Sequence, residues 1–313
     1  MFARLKSAGL AISAAVFLAA SARAIHADES LCGGRRYELR AKPNGASPYI
    51  ELGAQGASGL FLLDYGSTKS SIARGAPIKP QELTASLLPH GPRAGLFERG
   101  AYDLPVAEAE GRFGILGTDL LSQLNIELTS AAAFLSPPPC SPEALRGQGL
   151  VPVAQIGFFS AAPSSGKFPN VPVVFLRIGE VRTWAQIDTG YDDVAYTHSI
   201  DINEAFFDRL SASGLLLSPL PDVQVSTCEG LERRSVYTIK DLPLAIENRE
   251  GAPIAQTQMY HLILKRANGC GGIGAVAIPA AQLGASFLRV FGPVVFDPAS
   301  ETVWLTKQAE GRP

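Results

Sequence analysis

Asp64 and Asp188 occur in matching surroundings. Each ends an apolar run and enters a turn with glycine two positions on, in "LLDYGS" (62–67) and "QIDTGY" (186–191). A lone acid of this kind has a plain use, since Asp caps a turn by accepting the N–H groups that follow it. A pair has a second use. Two carboxyls held close together cannot both ionise cheaply, so they share one proton, and one serves as base while the other serves as acid on a water molecule. That chemistry requires neither a metal nor a cofactor. It does require a frame that brings residues 124 positions apart into contact.

The frame is legible as a repeat. Laid on "VPVVFLRIGEVRTWAQIDTG" (171–190), the stretch "SPYIELGAQGASGLFLLDYG" (47–66) matches without a gap, Leu52 on Leu176, Leu63 on Ile187, Asp64 on Asp188 and Gly66 on Gly190. Both copies read as strand, turn, strand, then Asp-x-Gly. Downstream, "FGILGTDLLSQLNIEL" (113–128) resembles "AAQLGASFLRVFGPVVF" (280–296), with Leu116-Gly117 on Leu283-Gly284. Each is an apolar strand ending in glycine, a short helical turn and another strand. Two features recurring in one order indicate a duplicated domain, the halves expected over 30–140 and 151–313. Between them, 141–150 is expected as a linker, in a proline-rich region (135–149) where regular pairing is not expected.

Composition limits the setting. "MFARLK", an apolar run and "ARA" ending at Ala24 form a secretory signal peptide over 1–24. No later segment reaches the roughly 18 to 20 continuous apolar residues of a membrane span. Cleavage would leave 24 basic against 29 acidic residues, which argues against nucleic acid as a partner. The expected location is secreted or periplasmic, where Cys32, Cys140, Cys228 and Cys270 read as structural disulfides with three possible pairings. The histidines are scattered and no Cys-x-x-Cys occurs, so no metal site is expected. "GCGGIG" (269–274) has the glycines of a dinucleotide loop, but Pro279 interrupts the helix that should follow, and "YDDV" (191–194) reads as a solvated loop.

The two Asp-x-Gly turns, each paired with a later "ILG" or "QLG", resemble the half-sites of a pepsin-like aspartic peptidase, whose lobes are similar to the retropepsin protomer. The resemblance covers nearly all of residues 36–306. It implies an all-β, two-lobed fold of duplicated β-barrel lobes, with Asp64 and Asp188 meeting at a pseudo-twofold axis as a catalytic dyad. It also implies a monomer that acts on a peptide or protein substrate without a cofactor. Gly117 and Gly284 would belong to strands crossing beneath the active-site loops, while Gly66 and Gly190 shape the turns.

The family prefers a hydroxyl residue directly after each Asp, to bond across to the opposite loop, and another two positions later, to bond the carboxylate. Thr189 fits the first role and Ser67 the second, whereas Tyr65 and Tyr191 depart from the pattern. The two tyrosines are expected instead as aromatic substrate-binding surfaces in the cleft. A covering hairpin is expected over 93–106, with Phe97 or Tyr102 as its aromatic. If the lobes are separate folding units, the disulfides should pair within them, Cys32 with Cys140 and Cys228 with Cys270. Two functions fit these residues, an exported endopeptidase and a related protein that binds peptide, polymer or partner without cutting.

Overall fold

Strand β1 (Arg35–Glu38) leads into an antiparallel hairpin of β2 (Tyr49–Ala54) and β3 (Ala57–Leu63), with Tyr49 opposite Leu62 and Ala54 opposite Ala57. The computed structural model describes residues 30–40, 45–54, 56–73, 87, 97–99, 112–154, 171–192, 195–227, 229–248, 250–258, 260–268 and 271–306. The expected leader (1–24), Tyr102, Cys228 and Cys270 lie outside the described residues. Among the described residues no helix is long and apolar enough to cross a membrane.

In the second half, β10 (Val173–Ile178) and β11 (Val181–Asp188) repeat the first hairpin, with Val173 opposite Gln186 and Ile178 opposite Val181. The register of the repeat holds residue for residue, Tyr49 falling on Val173 and Ala57 on Val181. Period-two burial produces both hairpins: Phe61 and Leu63 of β3 are buried, as are Ala185 and Ile187 of β11, while Trp184 stays exposed.

After each hairpin a strand turns back, β4 (Ser70–Ile72) in the first half and β12 (Ser199–Asn203) in the second. A later strand, β6 (Arg112–Leu116) or β18 (Ala280–Gly284), then inserts between them. β6 lies parallel to β3 with Leu116 opposite Leu63, and β18 lies parallel to β11 with Leu283 opposite Ile187. Each inserted strand is antiparallel to its other neighbour, β4 or β12. Outside these, β5 (Phe97–Arg99) runs parallel to β4 as β17 (His261–Lys265) runs parallel to β12. The expected hairpin over 93–106 is thus represented only by β5; its remaining residues lie outside the described ones.

The first half forms a five-stranded sheet, β2-β3-β6-β4-β5. The second extends the same pattern to nine strands by adding β13 (Ser218–Thr227) and β14 (Gly230–Thr238) at one edge and β15 (Leu244–Glu247) and β16 (Pro253–Thr257) at the other. The insertion that lengthens the second half therefore widens a sheet.

The third sheet joins the halves. Its strands are β7 (Asn125–Leu128), β8 (Ala132–Ser136), β9 (Leu150–Ala154), β19 (Val294–Asp297) and β20 (Thr302–Thr306), with β1, in the order β1-β8-β7-β19-β20-β9. Exchanging β1 for β9, β8 for β20 and β7 for β19 leaves that order unchanged. At its centre β7 and β19 are antiparallel, with Ile126 opposite Phe296 and Leu128 opposite Val294. The halves thus share backbone hydrogen bonds, and the protein is mostly β.

The expected linker carries its own structure. Ser141 caps the helix Pro142–Gly147 by accepting from the Ala144 N–H at 3.2 Å, a proline occupies the first turn where its missing N–H does no harm, and Gly149 at φ +80° turns the chain into β9. Cys32 and Cys140 form a disulfide within the first half, tying the segment before β1 to the segment after β8.

Candidate functional site

Leu63, the last residue of β3, lies against Leu116, and Ile187, the last but one of β11, lies against Leu283, which delivers Asp64 and Asp188 to adjacent turns at the junction of the halves. Each carboxylate folds back on its own turn. Asp64 Oδ1 accepts from the N–H of Gly66 at 2.8 Å and of Ser67 at 3.2 Å; Asp188 Oδ1 accepts from Gly190 at 3.0 Å and Tyr191 at 3.1 Å. The two carboxyls also hydrogen-bond one another.

The glycines are required by this contact. A Cβ on Gly66 would lie 2.2 Å from Asp188 Cγ, and one on Gly190 would lie 2.5 Å from Asp64 Cγ. Each turn packs its glycine against the opposite acid. Below the turns, the Thr118 N–H donates to the Ser67 carbonyl at 2.8 Å and the Ala285 N–H to the Tyr191 carbonyl at 2.9 Å, the same contact in both halves.

Burial in a crowded polar pocket raises the Asp64 carboxyl above its ordinary acidity, although N–H donors from Gly66, Ser67 and Gly190 and the bond to Asp188 oppose the rise. Asp188 is raised further, by burial first and then by the negative charge of Asp64. The pair therefore binds one proton between its carboxyls and titrates as a unit. Charge sharing of this kind suits a base and an acid placed on the same reacting water.

The hydroxyl support is one-sided. Thr189, fully buried, donates from Oγ1 to the Leu63 carbonyl at 2.5 Å and accepts from the Tyr65 N–H at 3.0 Å, so one side chain of the second half ties two backbone groups of the first. Tyr65 cannot reciprocate. Its ring is fully buried and stacks on Phe296 of β19 with centroids 3.8 Å apart, and its hydroxyl has no hydrogen-bond partner among the described residues. The expectation that Tyr65 forms a substrate surface is corrected here, because the ring belongs to the core beneath the turn.

Ser67 is also corrected. Its hydroxyl donates to the Lys69 carbonyl at 2.8 Å, leaving only its N–H to hold Asp64. Tyr191 likewise serves Asp188 through its N–H, and its ring lies against Gly284, where an added Cβ would meet Tyr191 Cδ1 at 2.7 Å. The ring thus packs against the glycine-terminated strand of its own half rather than standing in a cleft. Phe97 lies in β5, and Tyr102 is outside the described residues.

Several supporting residues escaped the sequence reading. Asp119, two residues after Gly117, accepts from the Ser70 N–H at 2.9 Å and the Ser70 hydroxyl at 2.6 Å, and that hydroxyl in turn accepts from the Gly117 N–H at 2.9 Å. Asp192, expected in a solvated loop, instead accepts from the Ala46 N–H, while Arg289 donates to the Ala46 carbonyl at 2.9 Å. These two clasp a backbone unit of the opposite half. The one available signal was position, since Asp119 and Asp192 both lie within four residues of a site glycine. Among the described residues no group of His, Cys, Asp and Glu could hold a metal ion. In comparisons with protein families and with characterised proteins, the chain matches none.

Proposed function

We propose that the protein is an aspartic endopeptidase with a pepsin-like, two-lobed fold, exported to a secreted or periplasmic location. The observation that carries this reading is the Asp64–Asp188 pair, hydrogen-bonded carboxyl to carboxyl, each on its own Asp-x-Gly turn and each turn glycine packed on the opposite acid. One carboxylate of the pair takes a proton from a water held between the carboxyls. The resulting hydroxide forms a bond to the carbonyl carbon of an extended peptide, and the protonated partner gives its proton to the carbonyl oxygen. Proton return to the amide nitrogen then breaks the C–N bond, leaving a carboxylic acid and an amine. The site's own donors hold the monoanionic pair throughout.

The one-sided crossing bonds favour a second reading, a protein that binds extended peptides without cutting them, because Tyr65 leaves one carboxylate turn without the hydroxyl that Thr189 supplies to the other. Purified mature protein incubated with a denatured protein across pH 3 to 7, with and without a statine-type inhibitor, separates the two. Inhibitor-sensitive cleavage lost in Asp64→Asn and Asp188→Asn supports the peptidase. Saturable inhibitor binding with no cleavage supports the binding protein and overturns the enzyme.

A further inference from the structure

Side chains of the second half reach across to the backbone of the first at two places. Thr189 holds Leu63 and Tyr65, and further along the same turn Asp192 accepts from the Ala46 N–H while Arg289 Nη2 donates to the Ala46 carbonyl at 2.9 Å. Ala46 is buried, so its two backbone groups depend on these partners. The contacts close a ring. From Ala46 the chain runs to Pro48, whose carbonyl accepts from the Leu63 N–H at 3.0 Å; the Leu63 carbonyl accepts from Thr189, and the turn leads on from there to Asp192. Leu63 directly precedes Asp64 and Thr189 directly follows Asp188, so both acids are attached to this ring.

The ring is tightly filled. A cavity of about 20 Å³, room for a water molecule, is bordered by Ala46, Pro48, Thr189, Leu288 and Arg289, which places the grip on Ala46 beside the Thr189 bond. The repeat shows that the fold does not demand the two charges. Thr68 stands where the second half has Asp192, and the downstream match puts Ser122 at the place of Arg289. Tyr65 stands at the place of Thr189, and its ring is stacked on Phe296 with the hydroxyl unpartnered among the described residues. The first half therefore returns no hydroxyl from the position that Thr189 occupies in the second.

We propose that Asp192 and Arg289 are positioning residues for the Asp64–Asp188 pair: by gripping Ala46 they supply a second tie between the two turns, in place of the hydroxyl bond that Tyr65 does not return. The proposal deepens the peptidase reading and rests on it. The two side chains hold one residue from both sides, the carboxylate on its N–H and the guanidinium on its carbonyl, and each bond is strengthened by the charge. Loss of either frees the Ala46 segment, and the Pro48 and Leu63 backbone carries the shift to Asp64. Asp192 and Arg289 act through that backbone rather than on the reacting water, so their effect falls on the spacing of the carboxyls.

The test combines steady-state kinetics with amide hydrogen exchange for Asp192→Ala, Asp192→Asn and Arg289→Met. Asp192→Ala and Arg289→Met should each lower kcat by about tenfold with KM changed by less than about twofold, because a misplaced carboxyl costs turnover rather than binding. Asp192→Asn keeps an acceptor for the Ala46 N–H and should recover most of that loss. In Asp192→Ala, exchange at the Leu63 and Tyr65 amides should accelerate by about tenfold more than at the Leu262 and Leu264 amides of β17. A rise in KM at unchanged kcat would make the pair a wall of the binding cleft, and unchanged kinetics or a uniform rise in exchange would make it general packing; each of these overturns the proposal. If Asp192→Ala does not fold, Arg289→Met decides by the same two readouts. If the wild-type protein does not cleave peptides, the peptidase reading fails separately, and exchange alone decides: selective acceleration at Leu63 and Tyr65 supports the tie, and its absence refutes it.

Discussion

Thr189→Val probes the join between the halves with almost no change in shape. The hydroxyl it removes donates to the Leu63 carbonyl at 2.5 Å and accepts from the Tyr65 N–H at 3.0 Å, in a fully buried position. Valine keeps the volume but leaves a buried donor and a buried acceptor without this partner. An unpartnered buried group costs about 1–3 kcal/mol. Two such groups, partly relieved by relaxation, give about 2–4 kcal/mol. At about 2–4 °C per kcal/mol for a chain of this size, Tm should fall by about 4–16 °C. The loosened Asp64 turn should also lower kcat more than KM, because the misplaced groups act on the reacting water rather than on the peptide's ends. Calorimetry and steady-state kinetics of Thr189→Val and Thr189→Ser measure both. A valine variant that melts within 1 °C of wild type, or a serine variant no better than valine, would refute the crossing bond as the tie between the turns.

Asp64→Asn and Asp188→Asn should each abolish cleavage while leaving Tm near or above wild type, read by peptide hydrolysis and calorimetry, because each removes the shared proton but keeps the side-chain shape. Tyr65→Phe should raise stability by about 1 kcal/mol by removing a buried hydroxyl that has no partner among the described residues, whereas Tyr65→Thr should lower it by about 3–5 kcal/mol by emptying the space against Phe296; urea unfolding distinguishes them. Asp64, Asp188 and Asp201 all have raised folded pKa values, so the folded state binds more protons than the unfolded chain between about pH 4 and 6. Stability should therefore rise as pH falls from 7 to 4, by about 2 kcal/mol from Asp201 alone, and Asp201→Asn should flatten that part of the curve. Opening the 108-residue Cys32–Cys140 link with a Cys32→Ala, Cys140→Ala double variant should cost about 3–5 kcal/mol in urea unfolding.

What the sequence made legible was local and repeated. The hairpin registers, the strand-ending acids and the glycine-terminated strands each depend on a few consecutive residues, and duplication displayed them twice. Tyr65 shows where that reasoning stops. Its position beside Asp64 suggested the cleft, but the partner that fixes its ring is Phe296, more than two hundred positions away on β19. The buried ion pair of Asp201 and Arg234, 2.8 Å apart, escaped for a related reason: Asp201 sits singly between isoleucines of β12, Arg234 is one of three successive charged residues of β14, and only the placing of β17 between those strands brings the two to one face. The shared sheet was likewise hidden, since β7 and β19 are both ordinary apolar strands and nothing local marks them as partners.

That shared sheet makes the order of synthesis matter. Leu128 precedes its partner Val294 by 166 residues, so β7 emerges with a row of backbone donors and acceptors long before β19 exists to satisfy them. A free edge of this kind pairs readily with the same strand of another chain. The carboxylate on β7 offers a defence during the wait. Glu127 is buried in the finished sheet, where it accepts from the Leu31 N–H at 2.8 Å and the Ser30 hydroxyl at 3.2 Å, and its acidity is weakened by burial. Before β19 arrives it stands charged beside the open edge, where a second copy would have to bury its own Glu127 as well. Two nascent first halves thus repel at the strand through which the completed halves join.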